Sequence, residues 1–284
     1  MKYNILDHYS QASEYSAKYI RNITQFSARP DKYFTLGFPS GSPLGCYKKL
    51  IEYYKNEDLS FQYKTFNMDE YVGLPETTER VTSFMWDTFL KHIDICPENT
   101  QILDGNAVGL QAECDAFEET IKAAGIELFV GGMGLDEHIA FYKSGSSLLS
   151  RTHVKMLAMD TILASARFFS GNLTKVPTMA LTVGMGTDCH GAREVMILIT
   201  GHKAFALHKA IKEGVNHMWT MFVFPQHPHM VLIHDEDATL ELKVKIIKYF
   251  RDLKLVHNKL VDPLCNIKEK QTEKSQPSQR PHWD

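Results

Sequence analysis

The chain has 284 residues, of which 44% are hydrophobic and 23% charged, and this composition excludes collagen-like, intrinsically disordered and coiled-coil proteins. Its 31 basic and 34 acidic residues give a formal net charge of −3, so an anionic ligand must be held by local charges rather than by a global field. No apolar run reaches the roughly 20 residues that a membrane-spanning helix needs. We therefore expect neither a nucleic-acid partner nor a membrane.

Strand-like runs alternate with helical patterns along the chain, which is typical of a mainly parallel, open sheet flanked by helices. The predicted elements in chain order are helix Ser10–Phe26, strand Tyr33–Phe38, helix Leu44–Lys55, strand Tyr63–Asn67, helix Ser83–His92, helix Leu110–Ala124, strand Ile126–Gly131, strand Val154–Ala158, strand Met179–Val183, strand Val195–Thr200, helix His202–Lys212, strand His229–Ile233 and helix Ala238–Leu255. No linker or repeat divides them, so the sequence predicts one α/β domain over residues 1–264.

The C-terminal residues 265–284 are polar and alternately charged. Such a segment buries too little apolar surface to offset the loss of chain entropy on folding. We expect a disordered, solvated tail, with partner binding as the alternative.

The N-terminus lacks the apolar core and the cleavage site of a secretory signal peptide, so we expect a cytoplasmic protein. The five cysteines are widely spaced without a Cys-x-x-Cys pair, which argues against disulfides and a thiolate zinc site. The histidine-containing clusters lack the helical spacing of a zinc site. We therefore expect no metal.

Three loops follow predicted strands, and in open α/β sheets ligands bind at the carboxyl ends of strands. The first loop contains Ser40, Gly41 and Ser42 and precedes a helix. Small residues let backbone N–H groups approach a phosphate, and the helix N-terminus favours its negative charge. The alternative is an ordinary strand-to-helix turn with a serine cap.

The second loop, Asn67–Tyr71, places two adjacent carboxylates, Asp69 and Glu70, at a strand end. Neighbouring side chains there point in different directions, so we expect only one of them to face a pocket. A charged surface turn is the alternative.

The third loop, Gly131–Phe141, follows an almost wholly apolar strand. Asp136 lies two residues before His138 and can orient its imidazole for acid/base chemistry. Glu137 stands where a dinucleotide-binding fingerprint needs its third glycine, which argues against NAD. No Gly-x-Ser-x-Gly elbow of a serine hydrolase is present.

Three segments together resemble the glucosamine-6-phosphate deaminase family, also called glucosamine-6-phosphate isomerase: Thr65–Pro75, Gly131–Phe141 and Val215–Thr220. The resemblance runs from about Met1 to Asp262 and is closest to the animal members. It implies a Rossmann-like subunit, usually assembled as a homohexamer. It also implies conversion of glucosamine 6-phosphate and water into fructose 6-phosphate and ammonia, without a metal or an organic cofactor.

The resemblance assigns roles to individual residues. Asp69 matches the carboxylate that moves a proton between C2 and C1 of the sugar, His138 matches the imidazole that opens the ring, and Asp136 matches the acid that holds this imidazole. The residues that match the phosphate site are Ser40, Gly41, Ser42, Arg167 and Lys203.

The chain departs from the family pattern at several of these positions. Lys143 stands where the family has a glutamate that completes the acid/base set, Glu137 replaces a glycine, and the phosphate loop is one residue shorter. A cation near His138 disfavours the imidazolium, so we expect reduced activity. The alternatives are an impaired homologue that binds sugar phosphate or modulates an oligomer, and an eroded copy that folds poorly.

Some family members are activated by N-acetylglucosamine 6-phosphate. Positions that match this effector site are Ser146, Ser147, His153, Lys155 and Met156. On the strand that supplies an Arg, a Lys and a Thr in those members, only Lys155 is retained. We therefore expect activation by this effector to be weakened or lost.

Overall fold

The computed structural model describes residues 2–27, 33–39, 44–57, 63–75, 80–133, 141, 146–201, 203–212 and 226–254. Several residues singled out above lie outside these ranges: Ser40, Gly41, Ser42, Asp136, Glu137, His138, Lys143, the segment Val215–Thr220 and the tail 265–284. The chain forms two compact units, Met1–Glu241 and Leu242–Asp284.

The described part of the first unit contains ten strands and seven helices. The strands are β1 Lys2–Leu6, β2 Phe34–Phe38, β3 Tyr63–Asn67, β4 Asp69–Tyr71, β5 Thr100–Gln101, β6 Ile126–Gly132, β7 His153–Met156, β8 Met179–Thr182, β9 Ala192–Ile199 and β10 Met230–Asp235. The helices are α1 Tyr9–Ser27, α2 Leu44–Glu57, α3 Val81–Thr88, α4 Leu110–Ala124, α5 Met159–Ser165, α6 Met185–Gly191 and α7 Ala204–Lys212. In the second unit, residues 244–254 form helix α8.

Seven strands form one wholly parallel sheet in the order β1-β10-β9-β6-β2-β3-β5. The predicted α/β class is therefore confirmed. From β2 the chain winds outward through β3 to β5, and from β6 it winds the other way through β9 to β10. The strand order reverses between β2 and β6, and open α/β sheets bind their ligands at the carboxyl side of such a point.

Two strands of this sheet, β2 and β10, are buried along their whole length. All five residues of β2 and all six of β10 are buried, because the sheet is covered on both faces, as parallel sheets generally are. Helix α1 contributes Ala12, Ala17 and Ile20, spaced along one face of the helix, to this core. The predicted strands β2, β3, β6, β9 and β10 were recognisable because β-branched, aromatic or other apolar residues recur in short runs between helical patterns.

A second sheet of three antiparallel strands, in the order β4-β8-β7, accompanies the parallel sheet. Asp69 of β4 lies opposite Thr182 of β8, which in turn lies opposite His153 of β7. The small sheet was not predicted. It matters because it carries Asp69 and fixes its position beside the parallel sheet.

Several element boundaries differ from those expected. The predicted helix Ala238–Leu255 is a short 3₁₀ turn, Asp237–Thr239, and a separate helix α8. The predicted strand Val154–Ala158 starts one residue earlier and ends at Met156. Elements β1, β4, β5, α5 and α6 were missed because each is short. Strands β1, β4 and β5 also lie at sheet edges. Among the described residues, no helix is both long and apolar enough to cross a membrane.

Candidate functional site

The candidate phosphate loop begins directly after Pro39 at the carboxyl end of β2. The buried Tyr47 of α2 donates a 2.7 Å hydrogen bond to the Pro39 carbonyl oxygen, and its ring stacks on Phe89 at 4.9 Å between centroids. Burial, with smaller contributions from Cys46 and Asp69, raises the pKa of Tyr47 well above its usual value. The phenol therefore remains a donor and anchors the start of the loop.

Asp69 and Glu70 lie on strand β4, where both side chains are buried. The hypothesis of a charged surface turn is therefore wrong. Since successive side chains of a strand point to opposite faces, the two carboxylates meet different surroundings. This agrees with the expectation that only one of them faces the site.

Glu70 is taken up by hydrogen bonds within the fold. Its Oε1 accepts from the backbone N–H groups of Tyr71 at 2.9 Å and Val81 at 3.0 Å. Its Oε2 accepts from the N–H and the hydroxyl of Thr82 at 3.0 and 2.7 Å. These bonds satisfy free N–H groups at the start of α3, where the helix field also favours a negative charge. Glu70 thus fixes β4 to α3, which leaves Asp69 as the candidate for chemistry.

Tyr71 connects β4 with two other parts of the site. Its ring packs against Phe141 and Phe169 with centroids 5.1 and 5.6 Å apart, and its hydroxyl interacts with Ser165. Burial raises the pKa of Tyr71 to about 12, with the nearby Asp69 charge adding to the rise. Phe141 is the last residue of the third candidate loop, so the ends of the second and third loops meet here.

Arg167 and Lys203, which sequence reasoning placed in a phosphate site, are close enough to interact. Arg167 belongs to a 3₁₀ turn that follows α5, and Lys203 directly precedes α7. Burial and the neighbouring Arg167 charge lower the pKa of Lys203, whereas the Asp235 charge raises it. Two cations that repel each other are a suitable arrangement for a doubly charged anion.

Asp235 is a site residue that sequence reasoning missed. It ends β10 and is buried. Both of its carboxylate oxygens accept from the Gly201 N–H, at 3.0 and 2.9 Å, and Oδ1 also accepts from Ala238 N–H at 3.0 Å. Asp69 was singled out because it is a carboxylate at the end of a predicted strand. Asp235 could have been found in the same way, because it follows the predicted strand His229–Ile233.

The candidate effector residues lie on and before β7. The Lys155 ammonium donates a 2.9 Å hydrogen bond to the hydroxyl of the buried Ser146, and the Ser147 hydroxyl accepts from the Leu149 N–H at 3.2 Å. A ring nitrogen of His153 lies 2.8 Å from the Arg151 carbonyl oxygen. The structure thus brings Lys155 and Ser146 together.

Met156, at the end of β7, is 64% exposed. A thioether is only a weak hydrogen-bond acceptor and no donor, so the position offers a phosphate ester nothing. The weakening of the effector site stays a prediction.

A groove of about 550 Å³ lies along α3 and the segment around β5. Its lining includes Arg80, whose guanidinium forms ion pairs with Asp104 at 3.2 Å and with Glu70 at 3.8 Å. Arg80 therefore stabilises the same β4–α3 junction as Glu70. Asp69, Arg167 and Lys203 do not line this groove.

These positions form a candidate site. The charges of the buried Asp69 and of Arg167 both act on Tyr71. The charge of Arg167 also acts on Lys203. A pair of cations can hold a phosphate while a carboxylate moves a proton. The arrangement therefore fits a phosphorylated substrate that undergoes proton transfer.

Comparison with known proteins identifies the family. No family model matches the chain, but it is 74% identical over 290 aligned positions to glucosamine-6-phosphate deaminase 1 of Homo sapiens, with all of both chains covered. The chain belongs to the glucosamine-6-phosphate deaminase family. The resemblance carried by the three sequence segments is thereby confirmed.

Solved structures agree with this family and with the fold. The chain is similar to a monomeric glucosamine-6-phosphate deaminase of the NagB superfamily, with a TM-score of 0.80, 31% identity and coverage of 85% of this chain and 100% of that one. A 6-phosphogluconolactonase from Trypanosoma cruzi has a TM-score of 0.66 at 18% identity, covering 85% and 97% of the two chains. At that identity the likeness concerns the fold alone.

Proposed function

We propose that this deaminase-family chain converts glucosamine 6-phosphate and water into fructose 6-phosphate and ammonia. The observation that carries the proposal is that the charges of the buried Asp69 and of Arg167 both act on Tyr71, and that of Arg167 acts on Lys203, in a chain 74% identical to a human deaminase. The net reaction moves a proton from C2 to C1 of the opened sugar and replaces the C2 nitrogen by the oxygen of water.

The phosphate is assigned to the cationic side of the site. Arg167 and Lys203 supply charge, and the loop residues Ser40, Gly41 and Ser42 supply hydroxyl and N–H donors. Such charge-assisted bonds are roughly twice as strong as neutral ones. They fix one end of the substrate, so that C1 and C2 are presented to the carboxylate.

The proton transfers are assigned to the acid/base side. Asp69 carries the C2 proton to C1, His138 opens the sugar ring, and Asp136 orients the imidazole. Lys143, at the position of the family's glutamate, removes an acid/base group and adds a positive charge. Loss of one such group commonly costs about 10²- to 10⁴-fold in rate, so we propose a reduced turnover.

Assembly and location extend the proposal. We infer a cytoplasmic homo-oligomer, hexameric as in most of the family, with activity that is formally a hydrolysis and requires no cofactor. The solved relative described above is monomeric, so the family includes more than one assembly. Light scattering coupled to gel filtration at micromolar concentration tests this part: a mass of one subunit would contradict it.

A second candidate function is sugar-phosphate binding without turnover. It is favoured by Lys143, Glu137 and the shortened phosphate loop, while Arg167 and Lys203 are retained. It predicts saturable binding of fructose 6-phosphate and no release of ammonia.

The test is an ammonia-release assay on the purified full chain with glucosamine 6-phosphate. We expect slow release that is abolished in His138→Ala. Release equal to that of the His138→Ala control would reject the deaminase activity. Saturable binding in the same preparation would then support the second candidate.

A further inference from the structure

We propose that Asp235 is a positioning residue of the phosphate site, which holds the turn before Lys203 in place and keeps the Lys203 ammonium charged for the anion. The inference rests on the proposed function for the identity of the anion. Its geometric basis is independent of that function.

The hydrogen bonds of Asp235 span two consecutive connections of the parallel sheet. One partner, Gly201, follows β9, and the other, Ala238, follows β10 itself. A buried carboxylate that accepts hydrogen bonds from two backbone N–H groups, one of them shared by both oxygens, is strongly held. Asp235 therefore couples the ends of two adjacent strands at the edge where the site lies.

The turn that Asp235 holds leads directly to Lys203. Gly201 has a φ of +67°, a left-handed conformation that a residue with a Cβ rarely adopts. The Lys203 N–H donates to the Gly201 carbonyl oxygen at 2.7 Å, and the Lys203 carbonyl oxygen accepts from Leu207 in the first turn of α7. The position of the Lys203 backbone is thus set by a turn whose N–H is bound by Asp235.

The charges around Lys203 show why a carboxylate is needed there. Among the described residues, the charged groups that act on Lys203 are Arg167 and Asp235, and the ammonium is also partly buried. Burial and Arg167 both favour the neutral amine, and Asp235 opposes them. Without Asp235, the lysine would lose its proton at a lower pH and with it part of its attraction for a phosphate.

Two substitutions separate charge from position. Asp235→Asn retains an Oδ1 that can accept from Gly201 and Ala238, but it removes the charge and the contact of Gly201 with Oδ2. Asp235→Ala removes the hydrogen bonds as well. The matched control is Asp237→Asn, which removes the same charge from an exposed residue two positions further along.

The first measurement needs no ligand. Lys203 is labelled competitively with acetic anhydride over pH 7 to 11, and mass spectrometry gives the pH at which its amine becomes reactive, with the exposed Lys212 as internal reference. We expect Asp235→Asn to move this midpoint down by about one pH unit and Asp237→Asn to leave it unchanged. An unchanged midpoint in Asp235→Asn, or an equal shift in both variants, would overturn the proposal.

The second measurement connects the charge to binding. Fructose 6-phosphate is titrated calorimetrically without ammonia, above pH 7 where its phosphate is a dianion, since the second pKa of a phosphate ester is about 6. As pH rises through the pKa of Lys203, binding weakens, and we expect this weakening at lower pH in Asp235→Asn. Asp235→Ala should also bind about tenfold more weakly at the low-pH plateau, since the turn is released.

The outcomes distinguish the two proposals. A labelling shift confined to Asp235→Asn, without saturable binding by the unmodified chain, would reject the sugar-phosphate function and support the role of Asp235 at Lys203. Binding whose pH dependence is the same in Asp235→Asn and the unmodified chain would reject that role and leave the function standing.

Discussion

The cationic side of the candidate site and its acid/base side differ in how closely they follow the family pattern. The cationic side retains both Arg167 and Lys203, with Asp235 bonded to Gly201 before Lys203, and departs from the pattern only in a phosphate loop that is one residue shorter. The acid/base side retains Asp69, Asp136 and His138 but carries Lys143 where the resemblance implies a glutamate. Binding of the phosphate and transfer of the protons are therefore separable in this chain.

The difference has a kinetic meaning. Contacts to the phosphate act in both the ground state and the transition state, so their loss raises KM, whereas proton-transfer groups act mainly in the transition state, so their loss lowers kcat. Variants on the two sides should therefore change different constants.

The largest expected effect is a gain of activity on the acid/base side. Lys143→Glu restores a carboxylate and removes a cation near His138, so we expect kcat for ammonia release to rise about 10²- to 10⁴-fold with little change in KM. Lys143→Gln, which removes the charge without adding an acid, is the control and should recover less. An unchanged kcat in Lys143→Glu would show that this lysine does not limit turnover.

A smaller effect is expected on the cationic side. Lys203→Ala removes a charge-assisted bond to the phosphate, so we expect KM for glucosamine 6-phosphate to rise about 30-fold, equivalent to about 2 kcal/mol, while kcat stays nearly constant. Lys212→Ala removes an exposed charge at the other end of α7 and should leave both constants unchanged. A loss of kcat at constant KM would place Lys203 among the proton-transfer groups.

The smallest effect concerns the support behind Asp69. In Glu70→Gln an amide N–H₂ faces the donors of Thr82 instead of an accepting oxygen, so we expect the free energy of unfolding to fall by about 1–2 kcal/mol in urea titrations. Glu98→Gln, an exposed substitution on a 3₁₀ turn, is the stability control. If Glu70→Gln were as stable as Glu98→Gln, the hydrogen bonds to α3 would not be what fixes β4.

Most of the fold could be predicted because strand-like runs alternate with helical patterns, and because β6, β9 and β10 contain runs of apolar residues. Strands β2, β3, β6, β9 and β10 were found within a few residues of their observed bounds. The pattern failed where burial comes from tertiary pairing. Strand β4, Asp69–Tyr71, has two acidic residues, a pattern typical of a turn. Its pairing with β8 makes it a strand nevertheless.

The candidate site was predictable in part from local sequence and from the family resemblance. Asp69 follows a strand directly and could be found from local position, and the resemblance supplied Arg167 and Lys203. The supporting residues Tyr47, Tyr71 and Asp235 act through partners that are distant in sequence, such as Gly201, which lies 34 positions before Asp235. No local pattern marks these pairings.

A side-by-side steady-state comparison of this chain with human glucosamine-6-phosphate deaminase 1 tests the separation of binding from turnover most directly. With glucosamine 6-phosphate as substrate and ammonia release as the signal, we predict a KM raised by no more than about tenfold, as the shorter phosphate loop allows, and a kcat at least about 100-fold lower for this chain. Equal kcat values, or a KM raised as much as kcat is lowered, would contradict the assignment of the defect to the acid/base side.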